Sequence, residues 1–140
     1  MTLYQYFLLN NKQFSLSTVC QVGCRVIQIL EKVHQIGLVF NDLKLDNIMV
    51  GDSNNSPQSL ADIRLIDFGL STEYLDPEGK HIKLELTKEF KGTMAMSSKY
   101  SMSFYSLSRR DDLISLTYLL IYMRTGQLDY LDFPGTNQDQ

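Results

Sequence analysis

Leu38-Val39-Phe40-Asn41-Asp42-Leu43-Lys44-Leu45-Asp46-Asn47 lies between a helical pattern that stops at Gly37 and the apolar run Ile48-Met49-Val50. Asp42, Lys44 and Asn47 are therefore expected on one loop. A second stretch, Asp67-Phe68-Gly69, follows the alternating run Ile63-Arg64-Leu65-Ile66. That order puts Asp67 at the end of a strand, with Gly69 letting the backbone turn away. Aspartate and asparagine are common in loops because they bond their own backbone, so the first stretch alone has a local explanation. Two such stretches, in this order and a hairpin apart, point instead to a shared site.

The residue types suit phosphoryl transfer, which asks for little covalent help and much positioning and charge neutralisation. Asp42 can accept or orient a hydroxyl proton, and Lys44 can neutralise charge on phosphoryl oxygens. Asn47 and Asp67 supply hard oxygens of the kind Mg²⁺ takes beside phosphates and water.

With 140 residues, 44% hydrophobic and 21% charged, the composition is that of one globular domain. A net charge of -3, a pI near 5.3 and scattered lysines give no electrostatic case for nucleic acid. The first ten residues lack the apolar length and basic flank of a signal peptide, so an intracellular compartment, cytoplasm or nucleus, is expected, with no membrane partner. Cys20 and Cys24 should then be thiols. They fall on one helical face with no second pair of ligands nearby, which favours buried packing over a metal site.

In chain order, Leu3, Tyr4, Phe7 and Leu8 recur at helical spacing, and Asn10-Asn11 can end that helix. Ser15 or Ser17 can cap a helix whose Val19, Val22, Val26, Leu30 and Val33 form one apolar stripe. His34 and His81 have no charged or catalytic companion nearby in sequence and read as packing or surface histidines. Ile48-Met49-Val50 and Ile63-Arg64-Leu65-Ile66 read as two short strands around a polar loop at 51–59, expected to be mobile and solvated. Residues 70–92 lose periodicity and read as a long segment without regular structure, suited to covering a site after Asp67. A helix over 111–124, bounded by Ser108 and Gly126, is apolar all round from 118 to 123 and predicts a core helix covered on most sides. It is too short for a membrane span. Residues 1–133 are expected to fold as one domain, with 134–140 a disordered tail.

Several stretches resemble the large lobe of a eukaryotic protein kinase, most closely the casein kinase 1 family. Asp42-Leu43, followed by Asn47 after three residues, matches the kinase catalytic-loop pattern. Phe14-Ser15-Leu16-Ser17-Thr18-Val19, Asp67-Phe68-Gly69-Leu70 and Tyr74-Leu75-Asp76-Pro77 with His81-Ile82 match that family in order. Arg109-Arg110-Asp111-Asp112-Leu113-Ile114-Ser115-Leu116 is the most diagnostic, and no Ala-Pro-Glu follows the activation segment, as in that family. The resemblance implies an α+β, kinase-like fold: a mainly helical C-terminal lobe with short β-hairpins, a catalytic loop at 38–47 and an activation segment at 67–98. It implies ATP and Mg²⁺ as cofactors and protein Ser/Thr hydroxyls as substrates. Asp42 would be the catalytic base, Lys44 the phosphate-stabilising lysine, and Asn47 and Asp67 the Mg²⁺ ligands, with Phe68 and Gly69 completing the nucleotide-side motif. Gly92-Thr93 would position substrate, with Thr93 bonded to Asp42 and Lys44. Asp112 would cap the central helix and hold the catalytic-loop backbone.

The chain also departs from that pattern. Phe40-Asn41 stands where most kinases have His-Arg; Phe40 can pack on Phe68 but makes no imidazole hydrogen bond. Leu45 replaces the usual proline. Met94-Ala95-Met96 stands where the family carries a basic residue and a tyrosine, so a preference for acidic or pre-phosphorylated substrates does not carry over. No Gly-rich phosphate loop and no Val-Ala-x-Lys strand precede Met1, so the N-terminal lobe is expected elsewhere in a full-length protein. The expected function is a serine/threonine kinase of casein kinase 1 type, represented by an incomplete catalytic domain. The alternative is a pseudokinase, a scaffold module or a decayed fragment without catalysis.

Overall fold

A computed structural model describes residues 1–51, 60 and 62–128. Apart from Gly51, the solvated loop expected at 51–59 and the tail expected at 134–140 lie outside these residues. Helix α1, Leu3–Leu9, begins at Thr2, whose hydroxyl accepts from Gln5 N (3.2 Å) while Gln5 Oε1 accepts from Thr2 N (3.0 Å). This reciprocal pair satisfies two donors at the helix start, and Leu3 and Phe7 are buried against the core.

Helix α2, Leu16–Gln35, is capped by Ser15, whose hydroxyl accepts from Thr18 N at 3.1 Å. The apolar stripe Val19, Val22, Val26, Leu30 and Val33 is buried as the spacing predicts. Gly37 ends the helix with a left-handed φ of 87°, a conformation open to glycine at no steric cost. Cys20 and Cys24, expected to be buried, are exposed. At about 100° per residue they sit about 120° and 160° round from the stripe's centre, on the outer face.

Strand β1, Leu38–Val39, pairs antiparallel with β4, Thr72–Glu73; β2, Ile48–Val50, pairs antiparallel with β3, Ile63–Leu65. Ile48 faces Leu65 and Val50 faces Ile63, and all four are buried while Arg64 between them is exposed. Residues 70–92 are more ordered than expected. Besides β4, Leu75 bridges to His81 and Leu86 to Tyr105, and Asp76 Oδ1 accepts from Glu78 N and Lys80 N to close a turn.

A short helix α3, Lys99–Met102, precedes the central helix α4, Arg109–Thr125. α4 starts ahead of position 111 because Ser108 is the N-cap and Asp111 the residue that closes the box, its carboxylate accepting from Ser108 N at 2.8 Å. The capping expected of Asp112 thus falls to its neighbours. Leu116, Leu119 and Met123 are buried against α2 and the catalytic loop's side of the core, whereas Leu113 and Ile121 are 47% and 46% exposed. Among the described residues α4 is covered on most sides, as expected: from 118 to 123 only Ile121 is exposed, Leu119 and Met123 are buried, Tyr118, Leu120 and Tyr122 pack half-buried against the core, and α2 is the helix laid along it. Gly23 allows that approach: a Cβ there would come within 3.0 Å of Leu120 Cδ2. The architecture is α+β, as expected. No helix of the described residues is long and apolar enough to cross a membrane.

Candidate active site

The loop at 38–47 is held from below by α4. Asp112 is 1% exposed, and its carboxylate accepts from Phe40 N (2.9 Å, Oδ2) and Asn41 N (2.9 Å, Oδ1). His34 at the end of α2 donates its Nε2 to the same Oδ2 at 2.8 Å. A buried carboxylate needs such partners, and the consequence runs upward: two successive amides just before Asp42 are pinned. His34, read as a histidine without companion, has one 78 residues away in sequence. His81 remains a surface residue, bonded through Nδ1 to Ile82 O.

Asp42 is 5% exposed and accepts from three directions. Thr93 Oγ1 donates to Oδ1 at 2.7 Å; Lys44 Nζ and Asn47 Nδ2 reach Oδ2 at 2.8 Å and 2.9 Å. Burial pushes the Asp42 carboxyl up, but the hydrogen bonds from Lys44, Thr93 and Asn47 and the charge of Lys44 outweigh it, holding the group below its ordinary value. Thr93 therefore meets Asp42 as expected, while the ammonium of Lys44 goes to Asp42 itself. Gly92 makes the approach possible: at φ 104°, a Cβ on it would lie 2.5 Å from Asn41 O.

Asn47 Nδ2 also donates to Asp42 O at 3.0 Å, so the amide's nitrogen is turned to Asp42 and its oxygen away. Ile66 N donates to Asn47 O at 2.9 Å, which brings Asp67, the next residue, to the same end of the β2–β3 hairpin. Asp67 is exposed, and it is Asp67 that takes the left-handed turn, at φ 63°. The turn expected of Gly69 is thus displaced by two residues. What Gly69 provides is room: its N donates to Asp67 Oδ1 at 3.2 Å, and a Cβ would sit 3.1 Å from that oxygen. Phe68 packs edge-on to Phe40, ring centroids 5.0 Å apart. One carboxylate and one amide oxygen fit a hard cation such as Mg²⁺ that draws its other oxygens from phosphates and water. Among the described residues no cluster of three or more His, Cys, Asp or Glu could hold a metal by itself.

Asn41, half of the Phe40-Asn41 departure from His-Arg, makes contacts of its own. Its Nδ2 donates to Leu70 O and to Thr72 Oγ1, both at 2.8 Å, joining the loop to residues 70–72. Its Oδ1 is buried without a partner, which costs about 1 to 3 kcal/mol. The only sequence signal was negative, an uncharged residue directly before Asp42.

Arg109-Arg110-Asp111-Asp112 resolves into separate tasks. Arg109 lies over the Tyr74 ring at 4.8 Å and Arg110 over the Tyr100 ring at 3.6 Å. Asp111 accepts from Ser98 Oγ and Arg110, fixing α3 and the segment before it, while Asp112 serves the catalytic loop.

Residues 2–139 match the protein kinase domain family. Among curated relatives, a casein kinase I homolog of Kluyveromyces lactis is 32% identical over 127 residues, covering 90% of this chain and 23% of that protein. Casein kinase I homolog 1 of Saccharomyces cerevisiae is 33% identical over 135 residues, 92% of this chain and 24% of the relative. A probable casein kinase I homolog of Encephalitozoon cuniculi is 34% identical over 124 residues, 89% and 36%. The chain thus spans about a quarter of the length of the two yeast relatives. With a loop, a strand-end aspartate and a central helix arranged as above, the chain belongs to the protein kinase family and is similar to its casein kinase I members.

Proposed function

We propose that residues 1–133 are the large-lobe part of a serine/threonine protein kinase of casein kinase I type, which transfers the γ-phosphate of ATP to Ser or Thr hydroxyls of proteins. The observation that carries this reading is the convergence of Lys44, Asn47 and Thr93 on the one buried carboxylate of Asp42. Asp42, held ionised, is a weak base; it accepts a hydrogen bond from the incoming hydroxyl, aims its oxygen, and takes the proton as the new P–O bond forms. Lys44, paired with Asp42 but about one-third exposed at 32%, can turn its ammonium from that carboxylate toward charge on the phosphoryl oxygens. Thr93 fixes the other Asp42 oxygen. Asn47 and Asp67 would hold Mg²⁺, which when bound neutralises charge on the nucleotide phosphates. Phe68 on Phe40, and the room left by Gly69, keep Asp67 at the loop.

The reading requires a small lobe to grip ATP, so the test uses a polypeptide carrying this chain behind a kinase small lobe. Radiolabelled phosphate from ATP should appear on casein, on Ser and Thr and not on Tyr. Asp67→Ala should weaken Mg·ATP binding, because it removes a cation ligand. Equal nucleotide affinity with and without that change would end the assignment of Asp67. Phe40-Asn41 in place of His-Arg favours a second reading, a binding module that keeps the fold without catalysis. Tight Mg·ATP binding with no transfer to any hydroxyl would select it.

A further inference from the structure

We propose that Asn41 is a positioning residue: its side-chain amide latches the activation segment to the catalytic loop through uncharged hydrogen bonds, so the segment stays docked without a phosphate on it. The consequence for rate rests on the phosphoryl-transfer reading above; the latch itself does not.

Four contacts meet at this one buried residue. Its backbone N donates to Asp112 Oδ1, its backbone O leaves no room for a side chain at Gly92, and its Nδ2 donates to Leu70 O and Thr72 Oγ1. The central helix, the Gly92-Thr93 turn and the start of the activation segment are thereby tied to the residue beside Asp42. Ser71 Oγ, donating to Phe40 O at 3.3 Å, and the Val39 to Thr72 pairing of β1 with β4 run alongside. The backbone at Asn41 is left-handed, φ 69°, a region that asparagine visits more readily than most side chains. Both groups that Nδ2 meets are neutral acceptors, so the contact needs no counter-charge. A charged residue bridging to a phosphate would depend on modification and weaken with salt; this contact does neither. Leu70 directly follows Gly69, so the latch also fixes where the chain leaves Asp67-Phe68-Gly69.

The test measures hydrogen-exchange protection by NMR in the polypeptide that carries this chain behind a kinase small lobe and needs no nucleotide, so a failed kinase assay leaves it intact. Ser71 N donates to Phe68 O and Tyr74 N to Gly37 O, which makes these two amides reporters for the docked segment. Asn41→Asp keeps a residue that tolerates left-handed backbone, but an ionised carboxylate only accepts and would face the Leu70 carbonyl. Protection at Ser71 and Tyr74 should fall roughly tenfold near neutral pH, the loss expected for one or two net hydrogen bonds. Relative to the unaltered chain it should partly recover below about pH 4, where the aspartate regains an O–H donor. Amides in α2 should be unchanged, and salt should not alter protection in the unaltered chain. Thr72→Val, which keeps a branched strand residue and removes one acceptor, should give a smaller loss in the same place and serves if Asn41→Asp fails to fold. Unchanged protection in both variants, equal loss throughout α2, or a loss in Asn41→Asp that persists at low pH would overturn the latch.

Discussion

Asp42 carries its charge where burial opposes one, and three donors tip the balance. Because the folded-state pKa is depressed, the fold favours the ionised form. That contribution to stability is fully present above the ordinary value of 3.8 and is lost as pH falls through the lower folded-state value. Urea melts of the chain and of Asp42→Asn should therefore differ by a constant amount from about pH 7 to about pH 5, with the advantage of the unaltered chain shrinking only below that ordinary value. A difference that changes already between pH 7 and 5 would contradict the assignment. Gly92→Ala is expected to cost about 1 to 3 kcal/mol, since it forces both a left-handed alanine and a clash with backbone at Asn41 O. The same change should separate Thr93 from Asp42, read as loss of slow exchange at the Thr93 hydroxyl. Asp42, Lys44 and Asn47 were legible because they share one short loop with a recognisable spacing, and Thr93 through family resemblance. His34 was not, and of Asn41 only the missing charge was. The partner of His34 is 78 residues distant, and the acceptors of the Asn41 amide lie 29 and 31 residues on, so folding alone brings these contacts into view.

At the scale of elements, α4 is the floor of the site, and its first turn shows how adjacent residues divide the work. Asp111 closes the helix start and Asp112 holds the loop amides. Asp112→Ala should leave Phe40 N and Asn41 N buried without acceptors, at about 2 to 5 kcal/mol by denaturant melt. Asp112→Asn, which keeps one acceptor oxygen, should cost less; equal losses would mean that packing, not hydrogen bonding, is Asp112's contribution. Helices α1, α2 and α4 and the β2–β3 hairpin were readable from periodicity, because the 3.6-residue stripe of α2 and the two-residue alternation of the strands are imposed by one buried face each; the four residues of α3 are too few to leave such a stripe. The exposed cysteines were readable too, had the phase of the valine stripe been followed to positions 20 and 24. The order in residues 70–92 was not, since it rests on isolated bridges and side-chain turns, such as that of Asp76, that leave no periodic trace.

For the molecule as a whole, among the described residues the core is closed around α1, α2 and the loop at 38–47 but open along the outer flanks of α2 and α4. Leu16, Ile27, Leu113 and Ile121 are 65%, 49%, 47% and 46% exposed. Each side chain of this kind forgoes roughly 1.5 to 3 kcal/mol of burial, against a typical domain stability of about 5 to 15 kcal/mol. The chain on its own is expected to be marginally stable and to self-associate, with a sedimentation profile that shifts with concentration. A monomer with a steep, cooperative urea transition would contradict this. The role proposed for Asp42, gathered in by Lys44, Asn47 and Thr93, is to act on the substrate hydroxyl. It is tested most directly by phosphate transfer to casein from a polypeptide joining this chain to a kinase small lobe, with Asp42 intact or changed to Asn. Asp42→Asn is expected to retain Mg·ATP binding and to lose transfer by at least about a hundredfold. Undiminished transfer in Asp42→Asn would contradict it.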